Sequence, residues 1–268
     1  MIASEALKRA SLRIEVSEAK LLLSFVLKTD KTRLTAHPET PLTDSQWEAF
    51  TVLVDRRAEG VPVPYLIGRQ AFYGLDFLVT NDVLIPRPDT ETLVEEALAF
   101  IGKRALRVLD IGTGSGAIAL AIKHEAPESV LYASDISDAA IKVAQANATS
   151  LHLDVTFKLG AYFKPWTGET FDLIVSNPPY VARGDAHLQN LTFEPASALI
   201  SGEKGLDAIT EIVRQAPEFL APGGMLALEH GYNQGKDVCA LFQNGPWENI
   251  RTVNDLGGNA RVTTGTKK

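Results

Sequence analysis

Four consecutive residues, Asn177-Pro178-Pro179-Tyr180, combine the groups needed to hold a planar amino group. Proline fixes φ and has no N–H, and a residue that precedes proline is pushed into extended backbone. The segment is therefore a stiff turn whose carbonyls lack a local donor. The side-chain oxygen of Asn177 and the carbonyl of Pro178 can accept the two hydrogens of one –NH2 group, with the Tyr180 ring beside it. Taken alone, the four residues also fit a rigid turn that ends a strand.

A second segment has the composition of a loop that a cofactor approaches closely. Its residues are Gly112, Thr113, Gly114, Ser115 and Gly116. A glycine-rich turn between a strand and a helix brings backbone N–H groups and the helix N-terminus near a ligand. Asp135 stands where an acidic side chain accepts hydrogen bonds from ribose hydroxyls. The pattern predicts a cofactor that contains a nucleoside, and it fits both a nicotinamide dinucleotide and S-adenosylmethionine.

The proline turn favours S-adenosylmethionine. Hydride transfer needs a proton-relay group, and the sequence offers no persuasive one, whereas methyl transfer to an amino group needs the acceptors described above. Ser115 does not stand in the Gly-x-Ser-x-Gly register of a hydrolase nucleophile. The histidines lack the spacing of metal ligands, so no metal site is predicted. They are His37, His124, His152, His187 and His230.

From residue 104 onward, strand and helix patterns alternate, which predicts an α/β fold with a doubly wound, mostly parallel sheet. The predicted strands are Leu106–Asp110, Ser129–Ser134, Val155–Leu159, Phe171–Ser176 and Met225–Glu229. The predicted helices are Glu91–Ile101, Ala117–Glu125, Ser137–Ser150 and Leu206–Leu220, and a terminal antiparallel hairpin is predicted at Asn249–Val253 and Ala260–Thr264. Both functional segments then follow the carboxyl ends of strands, where open α/β sheets bind ligands. Glu229-His230 also ends a strand and could line the pocket, although a plain strand end is the simpler interpretation.

The first part of the chain, residues 1–68, is predicted to be a small helical domain. One helix spans Ser17–Lys28 with Ser17 as its cap, and another begins at Thr43 or Asp44. A β-hairpin connector over residues 69–88 follows, built from Ala71–Thr80 and Val83–Ile85. The remaining residues, 89–268, form the domain with the sheet.

Between the connector and the sheet domain, Asp89 or Thr90 is predicted to cap the helix that begins at Glu91. Arg87 lies between Pro86 and Pro88, and this stiff setting indicates that it faces a ligand or the other domain.

Composition narrows the class of protein. The net charge is −7 and no basic stripe is present, which argues against nucleic acid as a direct partner. One cysteine fits a reducing compartment, and no signal peptide or membrane-spanning run is found, so a cytoplasmic protein is expected. A monomer is the default expectation.

Over essentially its whole length, the sequence resembles the class I S-adenosylmethionine-dependent methyltransferases. It is closely similar to the bacterial release factor glutamine N5-methyltransferases. The motifs that carry this resemblance are Ile85–Glu91, Asp110–Gly116, Asn177–Tyr180 and Asp255–Arg261. The segment from Ile85 is the specific one, and Asp89 stands where the family more often has glutamate.

The resemblance implies methylation of the glutamine in the Gly-Gly-Gln loop of bacterial class 1 peptide chain release factors, with S-adenosylhomocysteine as the second product. It also implies that the residues from Gly112 to Gly116, with Asp135 and Asn177, contact the cofactor, and that Tyr162 lies near the adenine. Asn177, Pro178 and Tyr180 would be catalytic, and the same turn with Pro179 and Arg87 would bind the substrate. The helical domain would dock the substrate.

Two other functions stay open. The acceptor pair could hold the exocyclic amine of a flipped nucleic-acid base, which the acidic charge and the lack of a target-reading domain disfavour. A non-catalytic cofactor-binding module is disfavoured by the presence of the glycine loop, Asp135 and Asn177 together.

Overall fold

A computed structural model describes residues 1–186, 188 and 191–268. His187, one of the five histidines, lies outside the described residues. The chain divides into two compact units, Met1–Arg69 and Gln70–Lys268. Within the described residues, no helix is long and apolar enough to cross a membrane.

The first unit is helical. Its helices are α1 (Ala3–Ala10), α2 (Val16–Leu27), α3 (Lys31–Ala36), α4 (Asp44–Ala58) and α5 (Val63–Ile67). Thr43 caps α4 in a capping box with Gln46, as its sequence predicts. The predicted cap of α2 is wrong, because the helix begins one residue before Ser17 and its N-cap, Glu15, makes no side-chain cap bond.

The connector forms a shorter hairpin than predicted, from β1 (Arg69–Phe72) and β2 (Leu75–Leu78). Tyr73 and Gly74 both have positive φ, as two-residue hairpin turns require. The chain therefore reverses inside the first predicted run, and Val83–Ile85, predicted as the return strand, is not a strand.

In the described part of the second unit, a seven-stranded sheet has the order β5-β4-β3-β6-β7-β9-β8. Its strands are β3 (Arg107–Ile111), β4 (Val130–Asp135), β5 (Val155–Leu159), β6 (Phe171–Ser176), β7 (Leu220–Glu229), β8 (Trp247–Asn254) and β9 (Ala260–Lys267). Neighbours from β5 to β7 pair parallel, whereas β9 pairs antiparallel with both β7 and β8. The predicted fold class is confirmed.

Helices cover both faces of this sheet. They are α6 (Glu91–Ile101), α7 (Ala117–Glu125), α8 (Asp138–Leu151), α9 (Asp207–Phe219) and α10 (Gly235–Gln243), of which α10 was not predicted. Alternate strand residues point to opposite faces. Val108 and Leu173 pack in one core with α6 and α7, whereas Leu109 and Ile174 pack in the other with α9 and α10.

The strand order reverses between β3 and β6, and this switch point places the two functional segments side by side. Ile111 and Ser176 are register partners at the carboxyl ends of these strands. The glycine loop follows the first strand and Asn177 follows the second. Such a switch point is where doubly wound sheets bind ligands.

Candidate active site

A cavity of about 510 Å³ opens at the carboxyl ends of β3, β4 and β6. Its volume lies in the range of small-molecule and cofactor sites. Most of the residues that the sequence predicts for the site line it. They are Arg87, Gly112, Thr113, Gly114, Ser115, Asp135, Tyr162, Asn177, Pro178 and Pro179. Gly116, Tyr180, Glu229 and His230 are not among the described residues that line this cavity.

The first three backbone N–H groups of the glycine loop bond within the protein. Those of Gly112 and Thr113 donate to the Ser134 carbonyl at 2.8 and 3.0 Å. The N–H of Gly114 donates to Asp135 Oδ2 at 2.9 Å. These three N–H groups are thus engaged within the protein, and the predicted contact of the loop with the cofactor stays a prediction. The loop offers room instead, because a Cβ added at Gly112 or Gly114 would meet no atom within 4 Å.

Gly116 has a different role, since it lies where α7 meets α8. A Cβ there would lie 3.0 Å from Leu120 Cδ1 and 3.2 Å from Ala144 Cβ, and its φ is +83°. Close helix packing is the third role that glycines have in such loops. The predicted cofactor contact of Gly116 stays a prediction.

A buried asparagine in α8 anchors the loop, and sequence reasoning missed it. Asn147 is 1% exposed. Its Nδ2 donates to the Ser115 carbonyl at 2.9 Å and to the Leu78 carbonyl at 3.0 Å. Its Oδ1 accepts the Leu78 N–H at 2.7 Å. The sequence did contain a signal for this role, because Asn147 stands among the apolar positions of a predicted helix.

Asp110 lies beneath the loop and is fully buried. Its Oδ2 accepts the hydroxyl of Thr113 at 2.6 Å, whereas its Oδ1 has no hydrogen-bond partner. Burial raises the pKa of Asp110 to about 7, because the charged form loses its hydration. This carboxyl is a structural support for the loop.

Asp135 ends β4 with both carboxylate oxygens partly used. Oδ2 accepts the Gly114 N–H, and Oδ1 accepts the Ser137 N–H at 2.9 Å. Each carboxylate oxygen has two lone pairs, so Asp135 can still accept from the hydroxyls of a ribose. Tyr162 and Ile136 line the same region with apolar surface. These residues fit the nucleoside part of S-adenosylmethionine.

Asn177 begins the proline turn with a defined orientation of its side-chain amide. Its Nδ2 donates to Thr90 Oγ1 at 3.2 Å. Because that nitrogen is engaged, Oδ1 is the group that Asn177 can offer to a hydrogen-bond donor. Thr90 is the N-cap residue of α6 but makes no side-chain cap bond, so its predicted capping role is wrong.

Tyr180 turns away from the cavity. Its hydroxyl donates to Glu229 Oε1 at 3.2 Å, and its ring packs against the core beneath α9 and α10. Burial raises the pKa of Tyr180 further above its ordinary value. The predicted contact between this ring and the substrate amide stays a prediction.

Arg87 faces both the cavity and a buried carboxylate. Its guanidinium pairs with Glu194, whose side chain is 2% exposed, and Glu194 Oε2 also accepts the Ile85 N–H at 3.2 Å. Pro195 and Ala198, close to Glu194 in the chain, line the cavity. The ion pair between Arg87 and Glu194 therefore stabilises the cavity wall around Pro195. Glu194 was not predicted from the sequence.

Two family models match the chain. One described as the PrmC N-terminal domain covers residues 2–68, and one described as the methyltransferase small domain covers residues 89–203. The release factor glutamine methyltransferase of Xylella fastidiosa strain 9a5c is 47% identical over 263 residues, 97% of this chain and 96% of the relative. The protein of the same description from Escherichia coli K12 is 39% identical over 97% of this chain and 96% of its own.

A solved structure shows the same fold at low identity. The T. thermophilus 16S rRNA methyltransferase in complex with AdoMet and guanosine aligns with a TM-score of 0.57 and 20% identity. The alignment covers 75% of this chain and 50% of that one. At this identity, the likeness supports the fold alone.

Proposed function

The chain belongs to the family of release factor glutamine methyltransferases, and from this premise we propose that it methylates the side-chain amide nitrogen of a release-factor glutamine. The glutamine is the one in the Gly-Gly-Gln loop of bacterial class 1 release factors. One observation carries the proposal for this site. Asn177 and Pro178 line one cavity with the glycine loop, at adjacent strand ends.

The chemistry has to overcome the weak nucleophilicity of an amide, whose nitrogen lone pair is delocalised into its carbonyl. When bound, S-adenosylmethionine supplies the methyl group, and S-adenosylhomocysteine is left as the N–C bond forms and the S–C bond breaks. Asn177 Oδ1 and the Pro178 carbonyl each accept one amide N–H of the substrate. These bonds hold the nitrogen in place and stabilise the positive charge that grows on it. Positioning of this kind contributes up to about 7–11 kcal/mol.

A proton leaves the nitrogen after the N–C bond has formed, and it passes to water. No strong base is therefore needed before attack. The residues that the proposal places around the amide, Asn177, Pro178 and Pro179, include no ionisable side chain.

Other residues hold the two reactants. Asp135 accepts from the ribose and Tyr162 packs near the adenine, while the loop from Gly112 leaves room for the cofactor. Pro179 and Arg87 shape the wall on the substrate side, and Arg87 does so from its ion pair with Glu194.

The helical unit is the proposed docking surface for the body of the release factor. A groove between α2 and α4 is lined by Leu21, Phe25, Val52 and Leu53. Phe25 is 47% exposed and Val52 is 52% exposed. Neighbouring exposed apolar side chains are typical of surfaces that bind proteins.

The mechanism is tested with Asn177→Ala. We expect turnover on a release factor to collapse, whereas the affinity for S-adenosylmethionine, measured by calorimetry, should fall far less. Asn233→Ala, at an exposed asparagine before α10, is the matched control and should keep full turnover. Wild-type turnover in the Asn177 variant would contradict the mechanism.

A further inference from the structure

A buried carboxylate stands behind the proline turn without lining the cavity. Glu229, at the end of β7, is 1% exposed. It accepts the Tyr180 hydroxyl on Oε1, whereas Oε2 has no hydrogen-bond partner. A carboxylate this deep in a protein needs a reason, because burial disfavours its charged form.

Thr90 connects this carboxylate to the active site. The hydroxyl of Thr90, which is 4% exposed, accepts the Asn177 Nδ2–H at 3.2 Å. The same hydroxyl lies beside the Glu229 carboxylate, where its dipole stabilises the charged form. The chain of contacts therefore runs from Glu229 through Thr90 to Asn177, on three different segments of the fold.

The direction of each bond in this chain follows from the number of hydrogens. A threonine hydroxyl has one hydrogen, and an ionised carboxylate can only accept. When the Thr90 hydrogen points to Glu229, Thr90 can only accept from Asn177. Asn177 must then present its NH2 group to Thr90, and its oxygen is left for the substrate.

We propose that Glu229 is a positioning residue that sets the orientation of the Asn177 amide through the Thr90 hydroxyl. The proposal rests on the proposed function, in which the Asn177 oxygen accepts an N–H of the substrate. With a neutral partner in place of the carboxylate, the hydroxyl of Thr90 can reverse. A reversed hydroxyl would favour the flipped Asn177 amide, which presents two donors to a substrate nitrogen that needs acceptors.

The charge of Glu229 depends on the groups around it. Burial raises its pKa to about 7, and the Thr90 and Tyr180 hydroxyls and the Arg261 guanidinium oppose this rise. Asp89 adds to the rise. Arg261 is held by Asp255 and Asp89, each at 3.1 Å.

The side chain of His230, next to Glu229 in the chain, hydrogen bonds to other groups. Its ring nitrogens bond the Gly231 carbonyl and the Thr263 hydroxyl, and burial lowers its pKa. His230 therefore does not supply the ionisation near pH 7. Burial also raises the pKa of Asp110 to about 7, so the Glu229→Gln variant is needed to assign the effect to Glu229. The ordered form of Asn177 is the one present when Glu229 is charged.

The test compares kcat against pH for methyl transfer to a release factor. In the wild type, kcat should rise as pH increases through about 7. Glu229→Gln should remove this rise. It should also lower kcat about tenfold, because one hydrogen bond favours the productive orientation of the Asn177 amide by about that ratio. Thr90→Val should lower kcat to a similar extent, and Thr90→Ser should restore it. Affinity for S-adenosylmethionine should stay unchanged in all three variants.

Tyr180→Phe gives a finer readout. It removes a hydrogen bond that favours the charged carboxylate, so the rise in kcat should move to higher pH without disappearing. A merely structural role for Glu229 would lower the amount of folded enzyme but would not move this rise. Unchanged kcat in both Glu229→Gln and Thr90→Val, or a pH rise that persists in Glu229→Gln, would overturn the proposal.

A second measurement does not depend on the substrate. The side-chain amide resonance of Asn177 in the 15N NMR spectrum should titrate near pH 7 in the wild type and stay constant in Glu229→Gln. Equal behaviour of the two proteins would overturn the positioning role. Failure of the wild type to methylate any release factor would instead refute the proposed function, and the NMR result would still decide the role of Glu229.

Discussion

Two glycines of the cofactor loop should respond to alanine in opposite ways. At Gly116 the new methyl would lie 3.0 Å from Leu120 Cδ1 and 3.2 Å from Ala144 Cβ. The left-handed backbone costs an alanine about 1–2 kcal/mol, and overpacking costs about 1–3 kcal/mol more. For a unit of this size we expect Tm to fall by about 5–20 °C. Because Gly116 is not among the described residues that line the cavity, affinity for S-adenosylmethionine should fall less than in Gly114→Ala at temperatures where the variant is folded.

At Gly114 the same change should cost less stability than at Gly116 and should weaken cofactor binding. Its φ is +56° and an added Cβ would meet no atom within 4 Å, so only the backbone cost of about 1–2 kcal/mol applies. The methyl would enter the space left for the cofactor. Loss of one well-formed packing or polar contact, about 1.4 kcal/mol, already lowers affinity tenfold, so we expect at least about a tenfold loss.

Gly223→Ala provides the matched control. Gly223 has φ +74°, also with no atom within 4 Å of an added Cβ, and it is not among the described residues that line the cavity. Scanning calorimetry should give Gly114→Ala and Gly223→Ala the same small fall in Tm, and titration calorimetry should show loss of binding only in the former. Wild-type affinity in Gly114→Ala would refute the placement of the cofactor against this loop.

The remaining predictions concern the cavity wall, pH and docking. Arg87→Ala leaves the buried carboxylate of Glu194 without its ion pair, so hydrogen exchange near residue 194 should speed up. Arg183→Ala, whose ion pair is exposed, should leave exchange unchanged. Because the pKa of Asp110 in the folded protein is raised to about 7, the protonated carboxyl contributes to the free energy of unfolding. This contribution is complete at pH 3 and is lost as pH rises to 7. The free energy of unfolding, measured by urea titration, should therefore fall with pH by about 1.4 kcal/mol per pH unit from this group. Asp110→Asn should remove this part of the pH dependence. Phe25→Asp should raise KM for the release factor while kcat and cofactor affinity stay constant, and an unchanged KM would refute the docking surface.

Much of the sheet could be predicted because buried parallel strands and their helices have strong local patterns. The strands Val155–Leu159 and Phe171–Ser176 and the helices Glu91–Ile101 and Ala117–Glu125 have the predicted bounds. The position of the cavity also follows, since both motifs come directly after strands. Helix α10 was missed because its short amphipathic run lies between two glycine-containing turns.

The partners of the site residues could not be predicted, because they come from distant parts of the chain. Thr90 looks like a helix cap in the sequence, but its hydroxyl bonds Asn177. Glu194 and Asn147 stand in segments without a motif, and only the folded chain brings them to Arg87 and Ser115. The hydrogen bonds of the glycine loop could not be predicted either. Its composition does not reveal that the Ser134 carbonyl accepts two of its backbone N–H groups.

The most direct test of the account is transfer of a radiolabelled methyl group from S-adenosylmethionine to a purified bacterial class 1 release factor. The substrate is used with its Gly-Gly-Gln loop intact or with the loop glutamine replaced by alanine. We expect label on the intact factor and none on the substituted one. Equal label on both factors, or label only on added ribosomal protein or nucleic acid, would contradict the account.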